Sequence, residues 1–170
     1  MESRILRSQR MAAESSGEKL IASNPNRGNF FIDEVVEAGI VLTGTEVKSL
    51  RAQSPNIRDS FVEVRGRGGR GTKLEAWLLN AHIAPYAFGN IWNHDPLRKR
   101  KLLLHSNQLG RMFESITQKG LSAIPVRMYF KKGLVKVEVG LGRGKKKYDK
   151  REDQKKKSAQ REMDVARKRR

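Results

Sequence analysis

Apolar residues fall into short runs, many of them alternating, separated by clusters of Gly, Pro and Asn, which is the pattern of strands joined by turns. Phe30 to Leu42 is enriched in Val and Ile and predicts a long strand, with a bulge or sharp bend at Gly39. Thr43-Gly44 ends it, and Thr45 is the predicted cap of a short helix through Leu50, with Val47 and Leu50 turned inward. Ser60 to Arg65 alternates at period two, and Lys73 to Tyr86 predicts a longer strand. The six residues Gly66-Arg67-Gly68-Gly69-Arg70-Gly71 between them read as a flexible hairpin tip. A loop from Ala87 to Arg100 and the run Leu102-Leu103-Leu104 follow. Leu109, Met112, Phe113 and Ile116 then recur at helical spacing, with Ser106 as N-cap and Gly120 beyond the C-terminus. That helix is amphipathic, and its Met and Phe belong to the core. Ala123 to Lys131 and Leu134 to Leu141 flank Lys132-Gly133, a hairpin signal.

This order has no βαβ rhythm. It predicts a mainly β fold: an OB-like closed antiparallel barrel of about six strands, plugged by one main helix and carrying a short second one. The barrel spans 24–142. Residues 1–23 are polar and patternless and are expected to be a flexible extension.

Charge changes the picture at the C-terminus. Residues 143–170 hold fourteen Lys or Arg against five Asp or Glu, a net +9 that is half of the chain's +18. With so little apolar surface to bury, this tail is expected to be disordered when free. From Glu152 onward it lacks Gly and Pro, and Glu152–Lys156, Asp153–Lys157 and Asp164–Lys168 stand four apart in the favourable order. It reads either as a latent helix that forms on a polyanion or as a solvated, non-specific basic end. The remaining +9 makes the folded part basic too, so the charge points to nucleic acid or an anionic membrane as partner and leaves room for two separate anionic contacts. No apolar run approaches a membrane span, no signal-peptide core is evident, and the absence of Cys excludes disulfides and thiolate metal sites. No cofactor or metal is expected, and a cytoplasmic location fits.

Candidate chemistry is concentrated in basic segments. Lys48 and Arg51, at i and i+3, share a helix face able to meet a phosphate row. Arg98-Lys99-Arg100-Lys101 lies near Trp92, which either stacks a base or packs over the barrel mouth. Glu37 is unusual in such a protein because a carboxylate repels phosphate. It either accepts hydrogen bonds from base amino or imino groups or 2′-hydroxyls, or pairs with a neighbour such as Arg51 or Lys48. Leu103 reads as core from residue type alone. The Gly-Arg run resembles RNA-binding RGG segments, but it is one short copy. His82, His94 and His105 are scattered and no metal-ligand spacing is present, so a nuclease built on them with Asp95 or Glu37 has no readable site; Asp95 reads as a turn cap.

Four segments together resemble one bacterial and organellar family. They are Glu37 to Arg51 (EAGIVLTGTEVKSLR), Asn80 to Tyr86 (NAHIAPY), Asp95 to His105 (DPLRKRKLLLH) and Gly144 to Arg151 (GKKKYDKR). The chain is similar in these to the SmpB family of SsrA-binding proteins, from about Asn24 to its end. The resemblance implies an OB-like barrel without enzymatic activity. Such a barrel would bind the tRNA-like domain of transfer-messenger RNA (tmRNA) and bring it to stalled ribosomes for trans-translation. The tail would enter the empty mRNA channel at the small-subunit decoding centre as a helix, and elongation factor Tu would be an indirect partner through charged tmRNA. It further implies RNA contacts at Asn24, Glu37 and Leu103, and ribosome contacts at Gly144, Lys145, Lys146, Asp149, Lys150 and Arg151. Tyr148 stands where many members carry His, which keeps an aromatic face for stacking on an rRNA base. The Asn24 turn is one residue shorter than the family pattern and the Gly66–Gly71 loop is longer. The other reading of the composition is a general ribosome-associated RNA-binding protein or RNA chaperone.

Overall fold

The computed structural model describes residues 18–66, 73–89, 91, 93–146, 148, 149, 151, 158, 163 and 164. Seven strands form one antiparallel sheet: β1 (Glu18–Ser23), β2 (Phe30–Ile40), β3 (Phe61–Gly66), β4 (Leu74–Leu79), β5 (Arg100–Leu103), β6 (Ser122–Lys131) and β7 (Leu134–Gly144). Their order is β1-β6-β7-β2-β5-β4-β3. Among the described residues the sheet is joined by helices α1 (Gly44–Ala52) and α2 (Ser106–Thr117), with a 3-10 turn at Pro25–Asn29.

The expected closed barrel of about six strands is not what forms. β1 and β3 are the two edges and share no ladder. β3 nevertheless packs against β6, five places away in the sheet, so the sheet curls over its own inner face. Bulges at Leu20/Ala22, Ile32/Glu34 and Pro125/Arg127 supply extra twist, and the third accommodates a proline inside a strand. The expected bend at Gly39 is instead a change of partner: Gly39 pairs with Lys136 of β7 and Leu103 of β5. A Cβ at Gly39 would lie 3.3 Å from the Leu103 Cβ, so its missing side chain lets β5 close on β2.

The core follows the alternation. Ala38, Leu78, Leu102, Met128, Val137, Val139 and Leu141 are buried from the sheet, with Met112 from α2 and Leu50 from α1. At α2 the Gln108 side chain accepts the His105 backbone N–H at 3.0 Å, so His105, not Ser106, is the cap. Phe113, expected in the core, is exposed, because Met112 and the half-buried Leu109 and Ile116 already fill the inner stripe. At α1 the cap is Thr43, not Thr45, and the buried side chains are Glu46, Ser49 and Leu50, with Val47 half-buried. The Lys132-Gly133 turn forms as expected, both residues at positive φ.

Three boundaries move. Glu18–Ser23, expected to be flexible, pairs with β6 as an edge strand. The strand expected through Tyr86 stops at Leu79, where Asn80 turns to φ +56, and only a single bridge, Asn56 to His82, continues it. β7 runs two residues into the presumed tail, with Arg143 opposite Phe31 and Gly144 opposite Phe30. Trp92, Lys150 and most of the Gly66–Gly71 loop and of the tail lie outside the described residues. Beyond Lys146 the described tail residues are Tyr148, Asp149, Arg151, Ser158, Met163 and Asp164; all are helical, Asp149 half-buried and the others exposed. The Lys146 backbone N–H donates to Asp149 Oδ2 at 2.9 Å, the contact a helix-starting carboxylate makes. Among the described residues no helix is long and apolar enough to cross a membrane.

Candidate RNA interface

Strand alternation brings Glu37 and Leu103 to one surface. Glu37 and Gly39 point outward from β2, since Val36 and Ala38 between them are buried, and Leu103 sits opposite Gly39 on β5. Leu103, expected in the core, is 54 % exposed because Leu102 takes the inward position. An apolar side chain and a carboxylate thus lie side by side on the outer sheet.

Neighbouring strands surround Glu37 with donors. Tyr129 of β6 donates its hydroxyl to Glu37 Oε2 at 2.5 Å, and Lys131 Nζ donates to the same oxygen at 2.8 Å. Lys136 Nζ lies 3.9 Å from Oε1. These partners replace the expected pairing with Arg51 or Lys48. The Lys131 and then the Tyr129 hydrogen bond hold the carboxyl below the usual carboxylate range, so Glu37 stays ionised. Burial, then the bond to Glu37, pushes the Tyr129 phenol above its ordinary value, so it stays protonated and donating. Beyond them, Arg127 pairs with Glu138 at 2.5 Å and covers the Tyr129 ring at 4.7 Å from its centroid. Glu18 of β1 lies 3.2 Å from Lys131. Glu37 Oε2 accepts both of these hydrogen bonds, while Oε1, with Lys136 Nζ at 3.9 Å, keeps accepting capacity. A carboxylate so fixed accepts from a base amino or imino group, or from a 2′-hydroxyl, and repels a phosphate. Tyr129 and Lys131 escaped sequence reading because only the β2–β7–β6 register brings them beside Glu37.

A second cluster is built on α1. Glu46 and Arg100 are both 0 % exposed and form an ion pair at 2.8 Å. Arg100 also donates to the carbonyls of Ala81 at 2.6 Å, Pro96 at 3.0 Å and Arg98 at 3.1 Å. Its guanidinium is therefore committed inside the protein, which removes Arg100 from the expected RNA contacts. Arg98 is largely committed too, donating to Glu46 at 2.8 and 2.5 Å and to Val41 O at 3.2 Å. Burial pulls the Glu46 pKa upward, but the bonds from Arg98 and the Thr43 N–H and the Arg100 charge outweigh it, and the carboxyl titrates below its ordinary range. This buried network ties α1 to the chain between β4 and β5. Lys48 and Arg51 remain exposed on α1, as expected. Lys101 points outward near Trp77 and pairs with Glu75 at 2.7 Å.

Asn24 lies apart from both clusters and is buried. Its amide donates to Pro125 O at 2.9 Å and its Oδ1 accepts from the Asn26 N–H at 2.9 Å, so it braces the turn between β1 and β2. His94 bridges Thr45 Oγ1 at 3.0 Å and Ile83 O at 3.2 Å, His105 caps α2, and Asp95 caps its own turn by accepting the Leu97 N–H. Among the described residues no cluster of His, Asp and Glu could hold a metal ion.

The profile of the SmpB protein family matches residues 21–169. The chain belongs to the SmpB family. Relatives called SsrA-binding protein include one from Pelobacter propionicus, 56 % identical over 151 residues that cover 88 % of this chain and 95 % of the relative. Another, from Geobacter sulfurreducens, is 55 % identical, covering 86 % and 92 %. One from Bacillus pumilus is 48 % identical, covering 88 % and 93 %. The fold matches a chain from a solved structure of tmRNA–SmpB and its journey to the centre of the bacterial ribosome. That match has a TM-score of 0.59 and 44 % identity, covering 77 % of this chain and 92 % of the other. The family match extends through the basic tail, so the tail belongs to the family pattern as much as the sheet does.

Proposed function

We propose that this chain is a non-catalytic adapter of trans-translation. Its body binds the tRNA-like domain of tmRNA through the outer face that carries Glu37 and Leu103. The tail, including Gly144, Lys145, Lys146, Tyr148, Asp149, Lys150 and Arg151, enters the vacant mRNA channel near the decoding centre and allows the stalled nascent chain to be tagged. Elongation factor Tu joins through charged tmRNA, and the work is done on cytoplasmic ribosomes. Lys48 and Arg51 supply exposed cations to the bound RNA, the half-buried Lys101 lies on the outer sheet paired with Glu75, and Asn24 acts through the turn it braces.

The observation that carries this reading is the outward pair of Glu37 and Leu103, in a chain that is 56 % identical to an SsrA-binding protein over 88 % of its length. A hydrogen-bond acceptor held ionised beside an exposed aliphatic side chain suits the edge and face of a nucleotide better than its phosphate. The test is binding of the full chain to the tRNA-like domain of tmRNA and to bulk tRNA at moderate salt. A clear preference for the first is expected; equal affinities would leave a general RNA-binding protein.

A further inference from the structure

The loop between β4 and β5 carries an aromatic tip with no use in the contacts described so far. Phe88 is 83 % exposed. Exposed apolar residues are ordinary on protein surfaces, but this one is held in place. Asn93 grips the loop at Tyr86, accepting its N–H at 3.0 Å and donating to its carbonyl at 2.8 Å, and Gly89 N–H adds a bond to the same carbonyl at 2.9 Å. A Cβ at Gly89 would lie 2.6 Å from the Asn93 side chain, so the grip needs glycine there. The Tyr86 ring buttresses Phe88 edge to face, centroids 5.6 Å apart, and Lys48 Nζ lies 5.7 Å from the Tyr86 centroid. The buried Glu46–Arg98–Arg100 network fixes α1, which bears Lys48, against the chain leading to this loop.

We infer that Phe88, braced by Tyr86 and flanked by Lys48, is a stacking platform for an unpaired base of the same RNA that the Glu37 face grips. Three observations select that occupant. The platform is a rigid aromatic surface with a cation beside it, the combination that holds a base and its phosphate. Lys48 and Arg51 of α1 are exposed, whereas Glu46 of the same helix is buried and paired with Arg100. The helix that bears Lys48 begins four residues after the end of β2, the strand that carries Glu37. Eleven residues of chain separate Glu37 from Lys48, so the two lie at most about 40 Å apart, within reach of one folded RNA. This inference rests on the tmRNA reading.

The experiment measures full-chain affinity for the tRNA-like domain of tmRNA and for bulk tRNA, using wild type, Phe88→Ala, Phe88→Leu, Phe88→Trp and Lys48→Gln. Phe88→Ala and Phe88→Leu should each bind about ten-fold more weakly, and Phe88→Trp should equal or exceed wild type. Lys48→Gln should lower the salt slope by about one phosphate. An unchanged melting temperature for Phe88→Ala separates the effect from misfolding. Wild-type affinity in both Phe88→Ala and Phe88→Leu would overturn the platform, as would a defect in Phe88→Ala that Phe88→Leu restores, since that marks an apolar contact that needs no aromatic face. Failure of wild type to discriminate the two RNAs would sink the adapter reading alone, because the Phe88 ratios remain readable on either RNA.

Discussion

Replacing Glu46 with Ala removes the acceptor shared by the guanidinium of Arg98, the guanidinium of Arg100 and the Thr43 N–H. Arg100 is fully buried and cannot turn to water. Breaking one side of a buried pair costs roughly 3–5 kcal/mol, since the other charge is left uncompensated. That is a fifth or more of the ~5–15 kcal/mol that holds a typical domain together. For a body of this size the melting temperature should fall by roughly 10–20 °C. Calorimetry or urea unfolding of the full chain measures it. A double replacement, Glu46→Leu with Arg100→Met, should recover much of the loss, because an apolar pair of similar volume leaves no orphaned charge. The pH dependence has a definite sign. Glu46 titrates below its ordinary 4.5 in the folded protein, so its contribution is complete above that pH and is lost as pH falls through the folded value. Wild type should weaken on acidification below about pH 4.5, and Glu46→Gln should flatten that part of the curve. A Glu46→Ala protein within about 1 kcal/mol of wild type would refute the idea that this network locks α1 to the loop.

Leu103→Ala should leave the melting temperature nearly unchanged, the side chain being largely exposed, and weaken binding to the tRNA-like domain several-fold. Arg100→Ala should do the opposite to stability, lowering it sharply without changing the salt slope of RNA binding. A change in that slope would mean Arg100 does reach phosphate. Truncation after Lys146 keeps the β7 pairing of Arg143 and Gly144 and should preserve tmRNA binding while abolishing tagging on stalled ribosomes. Tyr148→Ala should impair tagging more than Tyr148→His, since base–aromatic stacking is worth about 1–3 kcal/mol; equal defects would argue against stacking.

The strands and main helix were legible where alternation was long. β2, β3, β6, β7 and α2 are strong period-two or helical runs bounded by turn residues. β1 was missed because Glu18–Ser23 has only three consecutive apolar residues and, as an edge strand, needs only one side covered. Barrel closure could not be read, since it depends on whether the two edge strands meet. The site was half legible. Glu37 and the Lys48–Arg51 face stand out by type and spacing. Arg100 was misjudged because a basic run looks like a solvated surface, and only the β5 alternation reveals that every second member turns inward. Leu103 was misjudged for the complementary reason: in a run of three leucines, residue type does not tell which one faces out. Tyr129 and Lys131 required the register between strands far apart in sequence.

β2 and β7 are paired along nearly their whole lengths, from Gly39 opposite Lys136 to Phe30 opposite Gly144. Glu37 stands near one end of that ribbon and the root of the basic segment at the other, with the Lys145 N–H bonded to Asn29 O at 2.8 Å. Seven strand residues make this separation about 23 Å. The ribbon is a ruler of fixed length, and whatever the sheet grasps is held at a set distance from the point where the cationic arm departs.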